Sequence, residues 1–208
     1  MSSVNSYKKR LAEITKLSDA EKYDEALKLL EALREEWPGN PHLLVLWASL
    51  AQLDDLSHLE NADYENEERS LDKIKQSLKD ATELDQRSPD GFIELGYYLD
   101  CIEDNPKAAA RSFAKGILAA RESLIEGLIG QAKALLQLER REEAYRCVSE
   151  LLSLIRFEKS ARVQSFAESG LKEIIESFLP SADRPASGKR ERIGIDKLLE
   201  QYIASRSA

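Results

Sequence analysis

The sequence predicts an all-α fold built from antiparallel helix pairs, and two observations carry this prediction. The first is composition: 42% of the 208 residues are hydrophobic and 33% are charged, with only 9 glycines and 6 prolines, which is typical of a helix-rich soluble chain. The second is a repeated spacing, because Ala109-x3-Phe113 recurs 35 residues later as Ala144-x3-Val148 (144 − 109). A repeat of this length indicates stacked helical hairpins.

The first helix of each pair carries a second repeated pattern. A large-x2-large-small-x2-large motif begins at Phe92, returns at Leu128 (128 − 92 = 36), and occurs earlier from Leu44. A period of about 34 residues with these two helix patterns resembles the tetratricopeptide repeat (TPR). The resemblance covers Tyr7 to Ile155. It implies a TPR-like helical-repeat solenoid, a right-handed superhelix of antiparallel helix pairs that binds other proteins in a concave groove.

The first two hairpins are bounded by prolines. The first hairpin is expected at about 7–36, because Pro38 cannot donate a hydrogen bond within a helix. Pro41 suits a first helical turn, so the second hairpin is expected at 41–85. It contains an insertion, 54–70, with seven acidic residues and one arginine. We expect a lengthened helix and then an acidic loop; the sequence leaves open whether this loop binds a partner or is only solvated.

The second half of the chain is expected to hold two further hairpins and a closing helix. The third hairpin spans 89–120, and Asn105-Pro106 within it is a capping residue followed by a first-turn proline. The fourth spans 124–156. A helix at 159–179 is expected to close the array, because the exposed end of a solenoid must be sealed.

A linker, 180–192, and an amphipathic tail, 193–208, follow the array. From residue 181 on, six basic and four acidic residues give a net charge of +2, so the rest carries −8 − 2 = −10. The tail's expected contact residues are Ile195, Leu198, Leu199, Tyr202 and Ile203. We expect this tail to dock on the array, on a second copy, or on a partner, and the sequence does not distinguish these three.

Charge and motifs argue against several classes of function. A net charge of −8 does not suit a nucleic-acid partner, which requires a basic face. His42 and His58 have no metal-ligand spacing, and no catalytic motif is present, so neither an enzyme nor a cofactor is expected. No apolar run is long enough to span a membrane. Cys101 and Cys147 are expected to be buried free thiols, which favours a cytoplasmic location.

The TPR resemblance implies which residues form the groove. They are the exposed first-helix positions of three hairpins: His42, Val45, Leu46 and Ser49; Asp90, Ile93, Glu94, Tyr97 and Asp100; Glu126, Ile129 and Lys133. For Val45, Leu46 and Ile129, packing on a neighbouring helix is an equal alternative. An apolar groove with an acidic rim suits a protein or peptide with apolar anchors and basic flanks.

Two functions are therefore expected, and both involve a protein partner. The first is an adaptor or scaffold, chaperone-like in binding many clients. The second is an obligate subunit of a larger assembly, or a neutralising partner of a toxin or enzyme. TPR proteins that clamp the C-terminal carboxylate of heat-shock chaperones use lysine, asparagine and arginine on these faces. Lys133 is the one such residue among the groove positions, so this activity is not expected.

Overall fold

The computed structural model describes residues 3–57, 64–158 and 160–178, and these residues form helices joined by short connections. The helices are α1 (Ser3–Asp19), α2 (Tyr23–Glu36), α3 (Pro41–Ser57), α4 (Tyr64–Leu84), α5 (Pro89–Cys101), α6 (Pro106–Gln137), α7 (Arg141–Phe157) and α8 (Ala161–Phe178). The described part of the chain contains no strand, which confirms the all-α class. The linker, 180–192, and the tail lie outside it.

The chain divides into two compact units, Met1–Ala120 and Arg121–Ala208. In the first unit each of α1 to α4 packs on the helix that follows it, and α3 also packs on α5. The core of the first pair contains Ile14, Leu30 and Leu33, all fully buried. A second cluster around Ile74 and Leu78 joins α3, α4 and α5. In the second unit, α7 packs on α8.

One hydrogen bond recurs in two consecutive hairpins. The Ser77 hydroxyl of α4 donates to the Leu44 carbonyl oxygen of α3 at 3.1 Å. The Ser112 hydroxyl of α6 donates to the Phe92 carbonyl oxygen of α5 at 2.8 Å. Leu44 and Phe92 begin successive copies of the same motif, and the two serines are 35 residues apart (112 − 77). Hairpins α3–α4 and α5–α6 are therefore structural repeats of one another.

Two helices run further than the sequence predicted. We expected a turn between the third and fourth hairpins, at 121–123, but α6 is one continuous helix of 32 residues. The segment Arg121-Glu122-Ser123 contains no glycine or proline that would end a helix. Residues 64–70, expected in the acidic loop, belong to α4, and the Ser70 hydroxyl donates to Asp55 Oδ2 at 2.9 Å.

The start of α6 follows the predicted capping chemistry. Asn105 Oδ1 accepts the backbone N–H of Ala108 at 3.1 Å, and α6 begins at Pro106 as expected.

Of the two cysteines, one is buried as predicted and the other is not. Cys147 is buried, and this burial raises the pKa of its thiol. Cys101 is exposed, contrary to expectation, because it is the last residue of α5.

Candidate partner-binding groove

Helices α3 and α5 of the first unit each carry predicted groove residues at three corresponding positions of the repeat. His42, Val45 and Ser49 lie on α3, and Asp90, Ile93 and Tyr97 hold the corresponding positions 48 residues later on α5 (90 − 42, 93 − 45, 97 − 49). The spacings of three and four residues place each set on one helical face. Because α3 packs on α5, the two sets form a continuous strip, which we call the groove face.

A small cleft of about 60 Å³ opens at one end of the groove face. Its lining residues come from α3, α4, the turn between α4 and α5, and the start of α5, namely Pro41, His42, Val45, Ala81, Asp85, Ser88, Asp90 and Gly91. Val45 and Ala81 supply an apolar floor, and Asp85 and Asp90 supply carboxylates. This volume equals about two water molecules, so the cleft admits the end of a single side chain.

The carboxylate of Asp85 is held in place by the turn before α5. Its Oδ1 accepts the backbone N–H of Arg87 at 3.0 Å and that of Ser88 at 3.1 Å. A side chain fixed in this way loses little conformational entropy when a cation approaches it. A lysine or arginine suits such a cleft, because its hydrocarbon stem packs on apolar surface while its charged head meets a carboxylate.

Ser49 and Glu94 join the two helices in the middle of the groove face. Ser49 Oγ lies 3.1 Å from the Val45 carbonyl oxygen and 3.4 Å from Glu94 Oε2. A hydroxyl has one proton to donate, so the longer contact to Glu94 is the weaker one. The half-buried Glu94 carboxylate therefore keeps acceptor capacity for a basic group of a partner.

An aromatic pair forms the other end of the groove face. The Tyr97 ring meets the Phe113 ring edge-on, with centroids 5.1 Å apart, and Tyr97 remains 56% exposed. Gly96 makes room for this pair, because a Cβ there would lie 2.6 Å from the Phe113 ring. A rigid, exposed aromatic ring is the type of side chain that anchors protein interfaces.

Not every predicted groove residue lies in the groove. Leu46 packs against the core of the first hairpin. Ile129 is only 8% exposed and meets α8, where a Cβ on Gly170 would lie 2.1 Å from its Cδ1. Lys133 forms an ion pair with Glu173 of α8. Leu46 and Ile129 therefore follow the alternative of packing on a neighbouring helix, and the Lys133 ammonium is paired with a carboxylate of α8.

The remaining predicted residues are accessible. Asp90, Asp100 and Glu126 are exposed, and Ile93 is half-buried, with its Cγ1 close to Gly116 of α6. Sequence reasoning missed Asp85 and Phe113. Asp85 was signalled by the turn sequence Asp-Gln-Arg-Ser-Pro before α5, whereas the pairing of Phe113 with Tyr97 depends on how two helices pack.

The described residues contain no cluster of three or more histidine, cysteine, aspartate or glutamate side chains able to hold a metal ion. None of the described helices combines the length and the apolar composition that crossing a bilayer requires.

The chain was compared with protein families, curated proteins and solved structures. No protein-family model matches the chain, and no curated protein matches it. Among solved structures, one described as the crystal structure of MamA is similar, with 14% identical residues and a TM-score of 0.37. The alignment covers 93% of this chain and 96% of that one. At this TM-score the similarity carries no argument about a partner.

Proposed function

We propose that this protein is a TPR-like scaffold whose groove face binds a segment of a partner protein. The segment carries an apolar anchor with a lysine or arginine beside it. The observation that carries this proposal is the cleft that apolar Val45 and Ala81 line together with acidic Asp85 and Asp90.

Two forces act together on this groove face. The apolar surface of Val45, Ala81 and Tyr97 gains free energy when it is removed from water. The carboxylates of Asp90 and Glu94 attract a basic segment and raise its association rate, most strongly at low ionic strength. The apolar contacts therefore provide affinity, and the acidic side chains provide selection among partners.

The proposed partner is a protein, and the number of different partners that bind distinguishes two roles. Binding of many clients, each in substoichiometric amounts, would make the protein a chaperone-like adaptor. One stoichiometric partner would make it a dedicated subunit or a neutralising partner. The groove face suits both roles, since both require a segment of the same chemistry.

The test is selection from a displayed library of random peptides on the purified full chain. We expect the enriched peptides to combine an aliphatic or aromatic residue with an adjacent lysine or arginine. The best peptide should bind the Glu94→Lys and Asp90→Lys variants at least about tenfold more weakly, the equivalent of 1.4 kcal/mol. Its association rate should fall with added salt.

The matched control is Glu83→Lys, which makes the same charge change at an exposed position of α4. This variant should bind the peptide as the unmodified chain does. Enrichment of acidic peptides, or equal weakening by all three variants, would contradict the proposal. Unfolding of Glu94→Lys, measured by circular dichroism, would instead give Glu94 a structural role.

A further inference from the structure

Each first helix of a repeat uses one face to cover the hairpin before it. On α5 this face contains Gly91, Glu94, Leu95 and Tyr98, all buried or half-buried. A Cβ on Gly91 would lie 3.3 Å from Thr82 Cγ2 of α4, and the Tyr98 hydroxyl donates to the Leu71 carbonyl oxygen at 2.9 Å.

Helix α3 uses the same positions in the same way. The corresponding residues lie 48 positions earlier, and they are Leu43, Leu46, Trp47 and Leu50. All four belong to or pack against the core of the first hairpin. Coverage of the preceding hairpin by this face is therefore a regular property of the repeat.

The third copy of this face is uncovered. It lies in the second half of α6, 36 residues after its α5 counterpart, and consists of Gly127, Gly130, Gln131 and Ala134. All four residues are exposed. A Cβ on Gly127 or Gly130 would meet no atom of the described residues within 4 Å.

The surface that this face should cover is also exposed. Thr82, which meets Gly91, corresponds to Ile117 (82 + 35), and Ser49, which meets Glu94, corresponds to Tyr97 (49 + 48). Thr82 is 9% exposed, whereas Ile117 is 53% and Tyr97 56% exposed. Two large apolar side chains are thus accessible to water where the repeat places an inter-hairpin contact.

Within α6 itself, the side chains at positions 117 and 127 cannot contact each other. Ile117 and Gly127 are ten residues apart on α6, which separates them by about 15 Å along the helix axis. The two surfaces are complementary in side-chain size. In the register of the repeat, Ile117 would face Gly127 and Tyr97 would face Gly130, so each large side chain would be opposite a glycine.

We propose that the Gly127–Ala134 face of one copy packs on the Tyr97–Ile117 surface of a second copy of this chain. It does so in the register that α5 uses on α3 and α4. Reciprocal exchange satisfies both surfaces of both copies and closes a two-fold symmetric dimer. Tyr97 belongs to both surfaces, so a second copy and a groove-bound partner would compete for it. Peptide selection and cysteine pairing are separate measurements, so either proposal can fail without the other.

Cysteine pairing tests this contact directly. Ile117→Cys and Gly127→Cys are made as separate full-length variants in a Cys101→Ser background, because Cys101 is the exposed native thiol. The two variants carry different tags and are mixed and mildly oxidised. We expect a disulfide-linked product that contains both tags at twice the chain mass of 23.5 kDa, since a disulfide requires the two Cα atoms to lie within about 7 Å.

The control pairs Ile117→Cys with Ser123→Cys, which is exposed on the same helix but lies outside the proposed face. It should give little mixed product. As a second measurement, Gly130→Leu should weaken self-association in sedimentation equilibrium by about tenfold or more, because a large side chain overfills the contact.

Two outcomes would overturn the proposal. One is a yield of mixed disulfide no higher than that of the Ser123→Cys control. The other is an internal disulfide at the mass of a single chain in an Ile117→Cys, Gly127→Cys double variant. That product would show that α6 bends and covers its own hairpin.

Discussion

The Ser112 hydroxyl donates a hydrogen bond to the Phe92 carbonyl oxygen at 2.8 Å, in a buried position between α6 and α5. The same bond joins Ser77 to Leu44 one hairpin earlier. The serine in each second helix therefore fixes the axial register between the two helices of a pair. Because both hairpins have the same register, residues at corresponding positions have corresponding surroundings.

Replacing Ser112 with alanine should lower the free energy of unfolding by about 1 kcal/mol, the usual net value of one buried hydrogen bond. Urea denaturation measures this change. Ser123→Ala, at an exposed position of the same helix, should change it by less than about 0.5 kcal/mol. Equal effects of the two substitutions would mean that the Ser112 bond does not stabilise the hairpin.

Replacing Gly96 and replacing Gly127 with alanine should change the free energy of unfolding in opposite directions. Gly96→Ala places a methyl group 2.6 Å from the Phe113 ring, and relieving that overlap should lower the free energy of unfolding by about 1–3 kcal/mol. Gly127→Ala enters open space and should raise it by about 1 kcal/mol through helix propensity. Denaturation of both variants at low protein concentration checks this, and a gain in both would show that Phe113 moves freely.

Ala144 is fully buried in the second unit. Ala144→Leu should overfill this position and lower the free energy of unfolding by about 1–3 kcal/mol. Ala12→Leu makes the same substitution at an exposed position of α1, so it should have little effect. If Ala144→Leu leaves the melting temperature unchanged, Ala144 does not mark a close approach between helices.

Stability should also fall at high pH because of Tyr98. Burial first, and then the carboxylates of Glu103 and Asp72, raise the pKa of Tyr98 to about 12. The unfolded chain releases this proton near its ordinary pKa of about 10, so the contribution is complete below pH 10 and is lost as the pH rises towards 12. The slope reaches at most about 1.4 kcal/mol per pH unit. Tyr98→Phe should lack this part of the slope. If the free energy of unfolding, measured by denaturation, falls equally with pH in both proteins between pH 9 and 12, the assignment to Tyr98 is contradicted.

Local chemistry explains what the sequence predicted well. Pro41 and Pro106 begin helices because their fixed φ suits a first turn, and the structure starts α3 and α6 at these residues. Ala48 and Ala132, the small residues of the repeat motif, are fully buried. Such signals depend on a few neighbouring residues, so a single sequence contains them.

Long-range packing explains what the sequence did not predict. The periodicity placed a turn after Ala120, but nothing in the residues that follow ends a helix, and α6 continues. Ile129 has the pattern of a groove residue, yet Gly170, 41 residues later, allows α8 to pack directly on it. Neither result follows from helix periodicity, because both depend on residues distant in sequence.

The insertion between α3 and α4 lengthens the loop that must close when the second hairpin forms. Leu44 and Ser77, joined by one repeated bond, are 33 residues apart, whereas Phe92 and Ser112 are 20 apart. Closing the longer loop costs only about 0.4 kcal/mol more, because loop entropy grows with the logarithm of length. A reporter peptide inserted at residue 60 should therefore leave the free energy of unfolding of the first unit nearly unchanged.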